Sequence, residues 1–284
     1  MKSPASAART FLFLPADRME RLDKALASGA HMVVLDLEDA VAPAVKAQAR
    51  TALTEHWCRL DEAARARIAI RINATETPWH AEDVAMLQHL RPSGPGAVML
   101  AKTESVAQLD ALALQIGAIA LLALVESAEG LAALDGIARM PAVARLVFGH
   151  LDFQVDLGMQ CDAEERELDS VRLAFVCAAR RAGLPGPVDG VTIDLHDPAR
   201  LADDTRRSRR FGFTGKLCIH PNQIDTVNAS LGPTPDQIDW ARRVLAAASV
   251  QQTGAFQFEG AMVDAPVLAR ARRLLGEPRQ GPWL

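Results

Sequence analysis

Eight short apolar runs recur along this chain, and amphipathic segments with helical spacing separate them. The runs are nearly continuous in apolar character, which is typical of parallel strands covered on both faces. They are FLFLP from Phe11, MVVLDLE from Met32, IAIRIN from Ile68, AVMLAK from Ala97, IALLALVES from Ile119, RLVFGHLD from Arg145, VDGVTID from Val188 and GKLCIH from Gly215. Helices are expected over 18–28, 44–60, 81–90, 105–116, 168–182 and 198–211. The pattern is a β-strand followed by an α-helix, repeated eight times.

Such a repeat closes into a (β/α)8 barrel or opens into a doubly wound sheet. No shift in composition and no Pro-, Gly- or Ser-rich linker interrupts the chain before about residue 230, which favours one barrel. We therefore predict an α/β fold, with a TIM-barrel catalytic domain over residues 1–230 and a helical or lid-like C-terminal extension over 231–284. In the extension we expect a helix over 236–248, then a loop or short hairpin and a last helix.

Composition and charge exclude several classes of protein. The chain has 284 residues, of which 49% are hydrophobic and 23% charged, so a large core can be buried. The net charge of -4 lacks the basic excess of a nucleic-acid binder. Four cysteines without a CxxC pair indicate neither a zinc site nor a disulfide framework. The first apolar run is too short for a signal peptide or a membrane span, so we expect a cytoplasmic protein with no membrane partner.

Polar residues follow most of the predicted strands, at the end where barrel enzymes hold their active sites. We expect these side chains to converge on one mouth of the barrel. In strand order they are Asp36, Glu38 and Asp39; Arg71 and Asn73; Lys102; Glu126; His150 and Asp152; and His220.

Glu126 and Asp152 indicate a metal site. They follow neighbouring predicted strands and would meet at about the same height. Mg²⁺ prefers hard oxygen ligands and keeps waters and substrate oxygens in its octahedron, so two protein carboxylates are enough. Either residue alone could equally cap a helix or form a loop salt bridge, and the pair is the stronger indication.

Arg71 lies inside an otherwise apolar strand, where an unpaired charge would be costly. A bidentate pair with a substrate carboxylate is the favoured interpretation. An internal ion pair with Asp36, Glu38 or Asp39 is the alternative.

The two strand-end histidines, His150 and His220, are interpreted as hydrogen-bonded structural residues. A lone histidine in such a position is more often structural than catalytic.

Six ordered strings resemble the HpcH/HpaI aldolase and citrate lyase family, in its CitE-like branch. The strings are RTFLFLPADRMERLDKAL, VVLDLEDAVAPAVKAQAR, IRINATETPW, LVESAEGL, LVFGHLDFQVDLG and GFTGKLCIHPNQI. The resemblance extends from about Arg9 to Leu274. It implies a (β/α)8 barrel that binds Mg²⁺ and an acyl-CoA thioester, and that breaks or forms a carbon–carbon bond by Claisen-type chemistry.

The resemblance also implies roles for individual residues. Glu126 of VES and Asp152 of GHLDF match the family's metal ligands. Arg71 of RIN matches the arginine that holds the substrate carboxylate, so Arg71 and Glu126 are the expected substrate-binding residues. Glu38 and Asp39 of DLED would hydrogen-bond metal-bound waters or Arg71.

The segment GAMVDAP resembles one that brings an aspartate over a neighbouring subunit's site. Asp264 is the matching residue, and the resemblance gives it a catalytic role and implies a homotrimer or hexamer. The chain departs from the family pattern at Ala101, where a proline is frequent, and at His150–Leu151, where many relatives have an acidic residue. These departures bear on the choice of substrate more than on metal binding.

The predicted activity is that of a Mg²⁺-dependent carbon–carbon lyase. It would cleave a 3-hydroxyacyl-CoA of the malyl, methylmalyl or citramalyl type to acetyl- or propionyl-CoA and a 2-keto acid. Three alternatives remain: a malyl-CoA-type thioesterase, a citrate lyase β subunit acting on citryl bound to an acyl-carrier protein, and a CoA-independent aldolase. The last usually has a histidine near the second strand, which DLEDAV lacks.

Overall fold

Eight parallel strands form a closed barrel, in chain order, in the computed structural model, which describes residues 3–251 and 254–276. This confirms the predicted (β/α)8 TIM-barrel fold, and all eight predicted strands are present. The strands are β1 (Thr10–Pro15), β2 (Met32–Asp36), β3 (Ile68–Ile72), β4 (Ala97–Leu100), β5 (Leu121–Val125), β6 (Val143–Phe148), β7 (Val188–Asp189) and β8 (Gly215–Cys218).

The helices of this barrel are α1 (Pro4–Ala7), α2 (Leu22–Leu26), α3 (Lys46–Trp57), α4 (Glu62–Ala66), α5 (His80–Leu90), α6 (Val106–Ile116), α7 (Ala128–Ala132), α8 (Leu134–Ala138), α9 (His150–Asp156), α10 (Asp169–Arg181), α11 (Pro198–Phe211) and α12 (Ile224–Leu231). Helices α2 to α11 lie between successive strands, whereas α1 precedes β1 and α12 follows β8. The helix expected over 18–28 is shorter than predicted: a 3₁₀ turn, Met19–Arg21, precedes α2, and the left-handed Gly29 (φ 82°) follows it.

Successive side chains of each strand alternate between the lumen of the barrel and the helical layer outside. On β2, Met32 and Val34 belong to the inner cluster, whereas Val33 and Leu35 pack with the helices. Asp36 continues the inward series by this alternation. In the same way Arg71 follows Ala69 on β3, and Glu126 follows Leu122 and Leu124 of β5. Strand geometry therefore directs these three polar side chains into the carboxyl-end layer of the lumen.

The opposite, amino-terminal end of the lumen contains the buried Arg145, which pairs with no carboxylate in the described part of the chain. The guanidinium of Arg145 donates to the carbonyl oxygens of Ala8 at 2.8 Å and Gly186 at 2.6 Å, and to the hydroxyl of Thr214 at 2.9 Å. Arg145 is fully buried and lies against the ring of Phe11. Its hydrogen bonds join the segment before β1 to the segments before β7 and β8.

We expect Arg145→Met to lower the free energy of unfolding by about 3 kcal/mol, because buried carbonyl groups, that of Ala8 among them, would lose hydrogen bonds from a charged donor. Chemical denaturation followed by circular dichroism measures the change. Arg180→Met is the matched control, because Arg180 is exposed on α10. An equal effect of the two substitutions would contradict this role of Arg145.

The chain divides after Leu231 into two compact units. The second contains α13 (Pro235–Val250), β9 (Phe256–Phe258), β10 (Ala261–Val263) and α14 (Ala265–Leu274). β9 and β10 form an antiparallel hairpin, and both residues of its turn, Glu259 and Gly260, have positive φ, as a tight hairpin turn requires. Among the described residues, no helix has the length and apolar character needed to cross a membrane.

Candidate active site

A cavity of about 330 Å³ opens at the carboxyl ends of the barrel strands. It contains most of the polar residues that the sequence predicts to converge there. Its lining includes Asp36, Asp39, Arg71, Glu126, His150 and Asp152, together with Phe13, Gly149, Gly190 and Ile219. The convergence follows from the barrel, because strand ends that are distant in sequence share one rim.

Arg71 is held in the lumen by a bidentate pair with Asp36. Its Nε lies 2.7 Å from Oδ1 of Asp36 and its Nη2 lies 2.6 Å from Oδ2. The two residues are directly paired positions of β2 and β3. Asp36 also accepts the backbone N–H groups of Glu38 at 2.9 Å and Ala40 at 3.1 Å. The buried Asp36 carboxylate therefore fixes both the arginine and the start of the β2–α3 loop.

The remaining nitrogen of Arg71, Nη1, lies 2.9 Å from Oε2 of Glu38, and the guanidinium stacks 4.7 Å from the ring centre of Phe13. The internal ion pair of Arg71, which the sequence analysis gave as the alternative, is thus present with both Asp36 and Glu38. Asp36 accepts from two of the five N–H groups of the guanidinium, and Nη1 is ion-paired with Glu38. The cavity-lining Arg71 retains two donors for a bound anion.

Glu126 is buried directly after β5, and its Oε1 accepts the backbone N–H of Lys102 at 2.8 Å. Lys102 has a left-handed backbone (φ 47°), which is strained for a residue with a side chain. Burial is the largest cause that raises the pKa of Glu126 to about 8, and the nearby carboxylates of Asp152 and Glu38 act in the same direction. An ionised Glu126 therefore needs a positive neighbour.

Negative charge exceeds positive charge around the cavity. The carboxylates of Asp36, Glu38, Asp39, Glu126 and Asp152 face the cations of Arg71 and Lys102. Burial is the largest cause that raises the pKa of Glu38, to about 7, against the opposing effect of Arg71. A divalent cation in the cavity would relieve this repulsion, and hard carboxylate oxygens are the ligands that Mg²⁺ prefers.

Asp152 lies in the first turn of α9, not at a strand end as the sequence suggested, because β6 ends at Phe148 and the helix begins at His150. It is half-buried and lines the cavity. Within the described part of the chain, no group donates a hydrogen bond to its carboxylate. Glu126 keeps Oε2 outside its bond to Lys102, so both residues have oxygens for a cation.

Comparison with known proteins identifies the family. A sequence model of the HpcH/HpaI aldolase/citrate lyase family matches residues 9–221. The chain belongs to this family. The crystal structure of the family member CitE from Mycobacterium tuberculosis, in complex with magnesium, acetoacetate and coenzyme A, is 37% identical and superposes with a TM-score of 0.84, covering 95% of this chain and 98% of CitE. The resemblance seen in the six sequence strings is confirmed.

Two family members of similar identity carry different activities in their names. A (3S)-malyl-CoA thioesterase from Cereibacter sphaeroides is 30% identical over 95% of this chain and 94% of its own length. The human mitochondrial citramalyl-CoA lyase is 30% identical over 93% of this chain and 83% of its own length. Identity at this level shows the family and leaves the reaction to be argued from the site.

One residue that supports the site was missed by the sequence analysis. The buried Nζ of Lys46 donates to the carbonyl oxygens of Leu37 at 2.6 Å and Glu38 at 2.7 Å, and to Oδ1 of Asn73 at 2.8 Å. It thereby connects the β2–α3 loop to Asn73, directly after β3. A lysine in an amphipathic helix gives no sequence signal for burial, because its usual place is a solvated face.

The other predicted residues take separate places. Asp39 is exposed at the cavity rim, and its backbone N–H donates to the Glu38 carboxylate. Arg71 donates to Asp36 and pairs with Glu38, not with Asp39. His220 has the structural role expected for it, since its Nδ1 accepts the N–H of Asn222 at 3.2 Å. Asp264 lies in the second unit, where its side chain caps α14 by accepting the N–H of Val267.

Position 149, directly after β6, has room only for glycine, because the side chain of Glu126 lies against it. A Cβ at this position would lie 2.3 Å from Oε2 of Glu126. We expect Gly149→Ala to displace this carboxylate and to weaken Mg²⁺ binding by at least about tenfold, because the candidate ligand would lose its orientation. Isothermal calorimetry with MgCl₂ measures the affinity. Gly136→Ala, on the distant helix α8, should leave it unchanged, and equal affinities in the two variants would contradict the expectation.

Proposed function

We propose that this protein is a Mg²⁺-dependent carbon–carbon lyase. It cleaves a 3-hydroxyacyl-CoA of the malyl, methylmalyl or citramalyl type into acetyl- or propionyl-CoA and a 2-keto acid. The main support is the cavity in which the two candidate ligands, Glu126 and Asp152, lie beside an anchored arginine, Arg71. The relative CitE, with magnesium, acetoacetate and coenzyme A bound, supports the same class of ligands.

The residues present fit a magnesium ion. Glu126 and Asp152 would hold it, since both have oxygens not engaged by the protein and the surrounding carboxylates disfavour an unneutralised site. When bound, the ion supplies Lewis acidity that stabilises negative charge on the substrate oxygens. Its positive charge would also offset the negative charge of the surrounding carboxylates, so that an anionic substrate can bind.

Arg71 would bind and orient the substrate. Asp36 and Glu38 hold its guanidinium on two sides, and its two remaining N–H groups can take the distal carboxylate of the acyl group. A pre-oriented donor of this kind reduces the entropy lost when the reacting bond is positioned. The hydroxyl proton passes to solvent as the C2–C3 bond breaks, so that the hydroxyl-bearing carbon becomes the carbonyl of the keto acid and the bonding electrons stay on the thioester's α-carbon, as an enolate.

Asp264 of a neighbouring subunit would protonate that carbon, and in the reverse direction would remove the proton. This role requires an assembly of several copies, and we propose that the protein forms a homotrimer or hexamer.

An acyl-carrier protein, which would carry the thioester in place of CoA, is the alternative partner. A cytoplasmic location is part of the same proposal.

The first test uses the purified chain with Mg²⁺ and a panel of malyl-, methylmalyl- and citramalyl-CoA, with products identified by mass. We expect acetyl- or propionyl-CoA together with a 2-keto acid, and loss of turnover in EDTA. Free CoA with an intact hydroxy diacid would instead mean a thioesterase. Absence of turnover with every CoA ester would contradict the proposal and favour a carrier-protein substrate.

Glu126→Gln tests the metal ligand. Glutamine can still accept the Lys102 N–H, but it removes the charge, so we expect turnover to fall by about 100-fold or more. Asp110→Asn, an exposed carboxylate on α6, is the matched control. A near-wild-type rate for Glu126→Gln at saturating Mg²⁺ would exclude Glu126 as a ligand.

Asp264→Asn tests the contribution from a neighbouring subunit. Alone it should abolish turnover while leaving Mg²⁺ affinity unchanged. Mixed with Glu126→Gln after subunit exchange, it should recover part of the activity, because one subunit then supplies Asp264 to the intact metal site of another. Mixtures as inactive as their parents would contradict a shared site.

A further inference from the structure

The cavity at the carboxyl end of the barrel has a polar half and an apolar half. Its charged lining residues lie on or after β2, β3 and β5 and at the start of α9: Asp36, Asp39, Arg71, Glu126 and Asp152. The lining residues on or directly after β1, β7 and β8 are Phe13, Gly190, Val191, Leu217 and Ile219, and none of these has a polar side chain. Because β7, β8 and β1 are neighbours in the closed barrel, the side chains of Phe13, Val191, Leu217 and Ile219 form one apolar wall.

Two contacts mark the boundaries between the halves. The guanidinium of Arg71 stacks 4.7 Å from the ring centre of Phe13, so a carboxylate bound by Arg71 would lie beside the apolar wall. At the other boundary, the ring of His150 lies against the backbone of Gly190, where a Cβ would be 1.9 Å from Nδ1. Nε2 of His150 lies 3.3 Å from Oε1 of Glu165. Both ring nitrogens of this histidine therefore face protein groups, as expected of a structural residue.

The apolar wall is continuous with the inner core of the barrel. Leu217 belongs to the inner hydrophobic cluster and is only 4% exposed, and Val191 packs against the same cluster. Leu124 also belongs to it, lines the cavity and precedes Glu126 by two residues, one layer deeper on the same face of β5. The space below the candidate metal ligands is therefore bounded by hydrocarbon.

The hydroxyl-bearing carbon of the proposed substrate has four substituents to place in this cavity. Its carboxylate and its hydroxyl suit the polar half, where Arg71 and the candidate ligands Glu126 and Asp152 lie. The thioester arm has to extend through the mouth, since coenzyme A is too large for a cavity of about 330 Å³. The fourth substituent then faces the apolar wall. Contact with hydrocarbon stabilises an alkyl group there, whereas a hydrogen atom would leave that space unfilled.

We propose that the apolar wall selects substrates whose hydroxyl-bearing carbon carries a small alkyl group. The substrate is then a tertiary alcohol of the citramalyl type. Citramalyl-CoA has a methyl group at this carbon and is cleaved to acetyl-CoA and pyruvate, whereas malyl-CoA has a hydrogen atom there. Methylmalyl-CoA carries its methyl group on the neighbouring carbon, in the thioester arm. This inference rests on the proposed function, and it names the substrate class for that function.

The free acids test the wall without turnover. Citramalate differs from malate only in the methyl group on the hydroxyl-bearing carbon. Calorimetric titration of the Mg²⁺-loaded protein with both enantiomers of each acid gives the ratio of their affinities. We expect the wild-type protein to bind citramalate at least about tenfold more tightly, the usual effect of one such group in an apolar pocket. Equal affinities, or tighter binding of malate, would overturn the inference.

The double variant Val191→Thr/Ile219→Thr tests the residues of the wall. Each substitution puts a hydroxyl group in place of hydrocarbon, and both side chains are partly exposed, so the fold should be retained. We expect the preference for citramalate to fall by about tenfold, with Mg²⁺ affinity unchanged. Ile193→Thr is the matched control, because Ile193 is 67% exposed and is not among the described residues that line the cavity. A folded double variant, checked by circular dichroism, that keeps the wild-type preference would overturn the inference.

The product assay separates this inference from the proposed function. A higher kcat/KM for citramalyl-CoA than for malyl-CoA and methylmalyl-CoA would support both. Equal or faster cleavage of malyl-CoA or methylmalyl-CoA would overturn the inference and leave the lyase function intact. Absence of turnover with every CoA ester would contradict the proposed function, while the affinity ratio of the free acids would still decide whether the wall selects an alkyl group.

Discussion

The bidentate pair between Arg71 and Asp36 is the interaction on which the rest of the site depends. Both side chains are buried in the barrel lumen, where either charge alone would be costly. Their opposite positions on β2 and β3 allow two short hydrogen bonds without distortion of either strand. Asp36 also binds the backbone of the following loop, and Lys46 binds that loop from outside. The orientation of Glu38 towards Arg71 follows from these contacts.

Across the cavity, the geometry of Glu126 depends on backbone atoms. The N–H of Lys102 takes one carboxylate oxygen, and the absence of a side chain at Gly149 leaves space for the other. Neither contact neutralises the carboxylate, whose pKa is raised to about 8 by burial and by the neighbouring carboxylates. The fold therefore places a buried, incompletely compensated carboxylate next to Asp152. Two such carboxylates suit a divalent cation, and without a cation their buried negative charge is energetically costly.

Much of the site can be predicted from the alternation of residues along the strands. Met32, Val34 and Asp36 face one side of β2, and Ala69 and Arg71 face one side of β3, so the sequence pattern itself directs both charges inward. Asp152 was predicted at a strand end but lies in a helix, because a single glycine, Gly149, separates the end of β6 from α9. The burial of Lys46 and the contact of His150 with Glu165 could not be predicted, since both join segments that no local pattern relates.

The sequence by itself determined the order of strands and helices and the family, and it favoured one barrel, because continuous apolar runs of strand length can be buried only between covering helices. It also determined which charged residues follow which strands. Only the tertiary structure decided that Arg71 is paired with Asp36 and Glu38, that Gly149 and Gly190 make room for Glu126 and His150, and which nitrogen of His150 meets a carboxylate. Such contacts depend on distances of a few ångströms between segments that are far apart in the chain, and closure of the barrel sets those distances.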